Sequence, residues 1–334
     1  MHGFAGYKAL VNALGSPISI KMPKCLALQL RKMVLMSAAE IPNDPNWPRA
    51  TSLLKSAKSE LALIGVPASA TALSHTSAHL TPAAIREALA KYSTFAGSSD
   101  IELSSAGITD LGDILSPDHA DGEARVAAAV VGLLDTHKIL LAIGGDNSIT
   151  YSVVAGLFPD LSKIGLITFD AHHDLRDGIS NGSPVWRLIE AGLPGKNIVQ
   201  IGLSDFANSG PYAKRAKEAG ITTIHRAELR ERKMSEVVAQ ALEIAGANGR
   251  EIYVDIDVDV CDRSVAPACP ASVPGGLSAD ELRQAANLVA RDSRVRAIDI
   301  TEIDAASDAP DGRTVRLAAL LVLEIAAGLA SSSR

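Results

Sequence analysis

The chain has 334 residues, long for one domain yet within the range of a single α/β unit. Hydrophobic residues make up 47% of it and aromatics only 4%, so any core is mostly aliphatic. The formal net charge of −6 argues against nucleic acid as a partner, and no apolar run reaches the roughly 18 to 20 residues that span a membrane.

The first 39 residues contain Lys8, Lys21, Lys24, Arg31 and Lys32 but no acid. Residues 1–50 read as a poorly ordered N-terminal extension, with Met36 as an alternative start. A single arginine before residue 40 is thin support for an organelle-targeting segment. Residues 51–334 show no internal repeat or long linker and are expected to form one domain. Cys25, Cys261 and Cys269 have neither zinc-site spacing nor an even pairing, which points to a reducing compartment, the cytoplasm.

Strand and helix signals alternate from residue 60. Leu61 to Val66 is predicted as a strand, and Thr81-Pro82 as the cap and first-turn proline of a helix reaching Tyr92. A short strand is expected within 107–115, a helix over 123–136, a strand over 138–143 and a helix over 148–157. Strands follow over 164–169, 197–203, 221–225, 251–260 and 295–300. Helices lie between and after them over 183–191, 211–219, 234–245, 278–291 and 315–330. Ser278 and Glu281 form a capping-box signature. This rhythm predicts a three-layer α/β/α sandwich with a mainly parallel sheet.

Open sheets of this kind bind ligands beyond the carboxyl ends of their strands, and four chemical stretches fall there. The apolar run Ile164 to Phe169 ends in Asp170, His172 and Asp174 on alternate positions, aimed to one side if the chain stays extended. Two carboxylates and an imidazole suit a hard or borderline divalent metal, although acids capping the next helix would look similar. The strand over 251–260 carries Asp255, Asp257 and Asp259 on one face. Carboxylates spaced about 7 Å along a buried strand repel, and a cation is the simplest relief. Gly144-Gly-Asp-Asn-Ser148 follows a strand, and its glycines let the backbone approach a ligand closely. Thr301-Glu302-Ile303-Asp304 adds a carboxylate at the same rim.

In this order, the four stretches resemble the ureohydrolase family of arginase, agmatinase and formimidoylglutamase, over about residues 60 to 330. Pro274-Gly-Gly-Leu-Ser278 also matches a turn of that family. The resemblance implies an arginase-like fold and two Mn2+ per subunit bridged by a hydroxide. By the same likeness Asp170, His172, Asp174, Asp257 and Asp259 are metal ligands, with Asp170, Asp174 and Asp257 bridging or serving both ions. Glu302 anchors the cationic end of an amidine or guanidine substrate, and Asp255, a serine in many members, supports the ligands from behind. A homo-oligomer, trimer or hexamer, is a further implication.

Asp174-Leu-Arg176, Ser180-Asn-Gly-Ser-Pro184 and Phe206-Ala-Asn-Ser209 look most like the formimidoylglutamase branch. Its substrate, N-formimidoyl-L-glutamate, carries carboxylates that Arg176 can pair bidentately, whereas Arg176 would repel the distal ammonium of agmatine. A structural ion pair is the competing role for Arg176. The reaction expected is metal-assisted hydrolysis of a C–N bond to glutamate and formamide, with Asp174 passing a proton to the leaving nitrogen, a step of histidine degradation. Two positions depart from arginase. Asn147 stands where a metal-binding histidine is found, making it a weaker oxygen ligand, and Asn181 replaces a histidine proposed to shuttle protons, placing it beside the substrate. His173 is expected to point away from the ions. Another guanidino-compound hydrolase and a metal-poor binding protein on the same fold are the alternatives.

Overall fold

A computed structural model of the protein describes residues 44–332. The expected extension lies, up to residue 43, outside the described residues, and so does Cys25.

The sheet follows from near-continuous aliphatic runs. Strands β1 (Leu61–Val66), β5 (Ile139–Gly144), β6 (Ile164–Phe169) and β7 (Ile198–Leu203) are buried along their whole length. That is the signature of parallel strands covered on both faces. With β4 (Thr109–Asp113), β8 (Thr222–His225), β9 (Glu251–Asp257) and β10 (Val295–Thr301) they form one eight-stranded sheet, ordered β4-β1-β5-β10-β9-β6-β7-β8. Every neighbouring pair is parallel.

Period-two alternation sends successive side chains into two cores. On one face Leu61, Leu63, Leu141, Ile167, Val254 and Ile298 pack with helices α1 (Thr81–Ala88), α6 (Met234–Ala245), α7 (Ala279–Val289) and α8 (Arg313–Ser332). On the other, Ala62, Ile64, Leu140, Leu166 and Tyr253 pack with α2 (Gly122–Val130), α3 (Ile149–Leu157), α4 (Pro184–Glu190) and α5 (Gly210–Ala219). Each fully buried aliphatic side chain contributes about 1.5–3 kcal/mol. The predicted three-layer α/β/α sandwich is the observed architecture. The Ser278–Glu281 capping box is present, with both reciprocal bonds made.

Four local expectations are corrected. The helix predicted over 123–136 ends at Val130, because Val131 turns extended and Gly132 takes φ 75° before a 3-10 turn at Leu133–Asp135. Thr81 is the first residue of its helix rather than the cap, and its hydroxyl donates to the carbonyl of Ile303. A two-stranded antiparallel ribbon, β2 (Phe95–Ala96) with β3 (Ile101–Glu102), was not anticipated, since two-residue strands leave no periodic signal. Finally, α8 is long and apolar enough to cross a membrane, with 20 residues and mean hydropathy 1.7. Some 67% of its apolar window is buried inside the protein, against α7 and α1, so it serves as a core helix.

Candidate active site

The four central strands β5, β10, β9 and β6 are neighbours and end at one rim, each followed by one of the chemical stretches. The turn after β5 depends on Gly145, where an added Cβ would lie 1.8 Å from the carbonyl oxygen of Ala68. The close approach is therefore to the chain itself, not to a ligand. It lets Asp146 N–H donate to Ala68 and the Gly145 carbonyl accept from Glu302 N–H at 3.0 Å.

Strand alternation alone does not bring the acids together. β6 ends at Phe169, and Asp174 has φ 52°, so the chain curls to bring Asp174 back to Asp170. β9 ends at Asp257, and the 3-10 turn Val258–Val260 swings Asp259 inward, with its N–H held by Asp257 Oδ1 at 2.8 Å. Glu302 takes φ 63°. Left-handed backbone at a non-glycine residue costs on the order of 1 kcal/mol or more, and it persists where surrounding contacts fix it.

Two groups of ligand-type atoms result. Asp170, His172 and Asp259 form one and Asp170, Asp174 and Asp257 the other, with all atoms of each group within 4.8 Å of one another. Asp170 belongs to both. Its Oδ2 is buried without a hydrogen-bond partner, and the four aspartates are at most 8% exposed. Among the described residues no lysine or arginine forms an ion pair with them; His172 does, with Nδ1 2.6 Å from Asp259 Oδ2 and 3.5 Å from Asp170 Oδ1, and the charge of Arg176 reaches Asp174 from farther off.

The electrostatics register the crowding. Burial, followed by repulsion from Asp174 and Asp259, drives Asp170 well above the carboxylate range. Asp257 is driven the same way by burial and Asp259, and burial lifts Asp174 to about 7. Burial works to lower His172, but the charge of Asp259 and their hydrogen bond overcome it and hold His172 at about 9. Burial would raise Asp259 as well, yet His172 brings it below the usual range. Dry, repelling carboxylates with an orphaned oxygen fit divalent cations, whose charge would replace the missing counterions.

The other predicted residues surround these groups. Asn147 donates Nδ2 to Asp174 Oδ2 at 2.7 Å, and its Oδ1 accepts from Thr150 and Thr301 at 3.0 and 2.9 Å. Its Nδ2 thus faces Asp174 and its amide oxygen faces the two threonine hydroxyls. Glu302 Oε1 accepts from Asn147 N–H at 2.7 Å and from Asn181 Nδ2 at 2.8 Å, and burial lifts its pKa to about 8. Asn181 Oδ1 is taken by Leu73 N–H at 3.0 Å, which makes Asn181 the strut of Glu302. Arg176 stands exposed at the mouth of a cleft of about 520 Å³, lined also by Asp174, Asn181, Asp257, Asp259 and Glu302. Among the described residues no carboxylate lies within ion-pair distance of its guanidinium, so the structural ion pair considered for Arg176 is not formed.

Asp255 lies one step down β9, opposite Asp299 of β10, with both oxygens buried and unpartnered. Asp299, which the sequence did not single out, accepts from Tyr253 Oη at 2.6 Å and shares the single Thr150 hydroxyl proton, 2.8 Å away, with Asn147 Oδ1. Its alignment with Asp255 is a matter of sheet register, which no local motif announces. Cys261 and Cys269 are free and buried, and burial first of all raises both thiols, leaving them inert.

Comparison with known proteins decides the family. The description of the arginase family matches residues 59–328. The chain belongs to the arginase family. A formimidoylglutamase from Halalkalibacterium halodurans is 36% identical over 275 residues, covering 80% of this chain and 86% of that protein. The crystal structure of Bacillus subtilis formimidoylglutamase superposes with a TM-score of 0.79 at 32% identity, covering 87% of this chain and 95% of that one. A Trypanosoma cruzi formiminoglutamase solved with Mn2+ shares the fold, with TM-score 0.76 at 23% identity over 85% of this chain and 99% of that one.

Proposed function

We propose that this arginase-family protein is a formimidoylglutamase, hydrolysing N-formimidoyl-L-glutamate to L-glutamate and formamide. The observation that carries the reading is Arg176, a cation that forms no ion pair among the described residues, at the mouth of a cleft whose floor holds buried carboxylates and Glu302. A substrate with an amidinium at one end and carboxylates at the other matches that polarity. The named relatives support the same branch.

Asp170, His172, Asp174, Asp257 and Asp259 would hold a pair of divalent cations, with Asp170 shared, and the oxygen-rich set suits manganese. Such a pair supplies a water of lowered pKa and Lewis-acid assistance. The chain's own residues do the rest. Glu302, braced by Asn181 and the Asn147 N–H, binds the formimidoyl amidinium and orients its carbon toward the acids. Arg176 clamps a substrate carboxylate and fixes the other end. Water adds to the formimidoyl carbon and gives a proton to Asp174 Oδ1, the oxygen not engaged by Asn147; the bond from that carbon to the glutamate nitrogen then breaks as Asp174 passes that proton to the departing nitrogen.

The deciding experiment is turnover of manganese-loaded protein on N-formimidoyl-glutamate, agmatine and arginine side by side. Formamide from the first alone is expected; urea from either guanidine would overturn the assignment.

The Arg176 role yields a sharper expectation. Arg176→Ala raises KM for the acidic amidine about 10- to 100-fold, the loss of charge-assisted bonds of about 1.5–3 kcal/mol, with little change in kcat. Gly182 seats this side chain: an added Cβ would fall 2.8 Å from Arg176 Cδ and 3.0 Å from Nε. Gly182→Ala is therefore expected to raise KM about three- to tenfold alone and not at all in the Arg176→Ala background. Steady-state kinetics of the four proteins checks both, and additive effects would remove Gly182 from the argument.

A further inference from the structure

Asp170 N–H still donates to the Ile201 carbonyl of β7 at 3.0 Å, but beyond it the backbone of residues 171–173 has left the sheet, so its polar groups must be satisfied elsewhere. Two are met from within the site. Ala171 N–H donates to Asp259 Oδ1 at 3.0 Å and His172 N–H to Asp170 Oδ1 at 2.6 Å. The others are met from β7 and the loop behind it. Asn208 donates Nδ2 to the Ala171 carbonyl at 2.8 Å and accepts His173 N–H on Oδ1 at 2.9 Å, so one amide grips the backbone on both sides of His172. Gln200, fully buried on β7, donates Nε2 to the His173 carbonyl at 2.9 Å and accepts His173 Nδ1–H at 2.7 Å. Ser204 N–H adds a second bond to the Ala171 carbonyl at 3.0 Å.

We propose that Asn208, backed by Gln200, is a positioning residue for the cation site, making the cleft-mouth loop 204–209 a determinant of metal affinity. The inference rests on the ligand assignment given above. A primary amide offers a donor and an acceptor in one plane, the pairing needed to bind a carbonyl and an N–H two residues apart. His172 sits in the middle of that span, and its imidazole is the one nitrogen donor in the two groups. Without the grip, the curled segment between Phe169 and the left-handed Asp174 has fewer restraints, and the ligand directions spread. The same loop holds Phe206 fully exposed at φ 66°, a strained conformation for an aromatic residue two positions before Asn208. Outer partners that orient ligands in this way are typically worth about 10- to 100-fold in metal affinity.

The test is a calorimetric titration of metal-free protein with Mn2+, in the absence of substrate. Asn208→Ala is expected to weaken binding about 10- to 100-fold with the stoichiometry unchanged. Ser209→Ala provides the contrast: it removes the cap of α5 in the same loop, where Ser209 Oγ accepts Tyr212 N–H at 3.4 Å, so melting temperature falls while affinity holds. Should Asn208→Ala fail to fold, Asn208→Ser, too short to reach both groups, is titrated in its place. Affinity within twofold of wild type in the Asn208 variant, or an equal loss in Ser209→Ala, overturns the proposal. No binding by the wild-type chain would instead overturn the ligand assignment on which it stands.

Discussion

Asp257→Ala is expected to abolish the manganese-dependent gain in thermal stability and to lower kcat/KM about a thousandfold or more, about 4 kcal/mol of barrier. Asp257 is 3% exposed and completes the group with Asp170 and Asp174. A cation that binds the folded chain at a hundred times its Kd stabilises it by about 2.7 kcal/mol, a shift of several degrees for a protein of this size. The variant should lose that shift. Its metal-free form should melt within a few degrees of the metal-free wild type, because relief of repulsion among the buried carboxylates offsets the lost bond from Asp259 N–H. Scanning calorimetry with and without Mn2+ reads both effects. A manganese-induced shift equal to that of wild type would remove Asp257 from the ligand set.

Glu302→Gln separates substrate binding from metal binding. Glutamine keeps the shape and can still accept from Asn147 N–H and Asn181 Nδ2, but it offers no charge to an amidinium. The expected loss is about 100- to 1000-fold in kcat/KM, in line with about 3–4 kcal/mol for breaking a desolvated charge pair. Manganese affinity should stay within a few-fold of wild type, since Glu302 belongs to neither ligand group. Kinetics paired with calorimetry decides the matter. Activity within tenfold of wild type, or a parallel collapse of metal binding, would show that Glu302 does not serve as the substrate anchor.

The sequence by itself determined the layered fold, because fully apolar runs alternating with amphipathic ones admit few arrangements other than a parallel sheet covered on both faces. It also placed the acids at one rim, since residues just beyond the ends of parallel strands lie at the carboxyl edge. Singling out Asp170, His172, Asp174, Asp257, Asp259 and Glu302 among them took the order of the four stretches and their resemblance to the ureohydrolase pattern.

How they meet was decided only in three dimensions. Straight-strand geometry placed Asp174 and Asp259 on extended chain, whereas a left-handed residue and a 3-10 turn bring them in, and such bends answer to contacts far off in sequence. The orientation of the Asn147 amide was equally out of reach. It depends on the Thr150 and Thr301 hydroxyls, which come from an adjoining helix and strand. The roles of Gln200 and Asn208 exist only because β7 lies beside β6. The register of β9 against β10 sets Asp255 opposite Asp299 in the same way. Periodicity and residue type are local and can be read along the chain, but hydrogen-bond direction across strands is a property of register and loop closure, which the packed whole alone fixes.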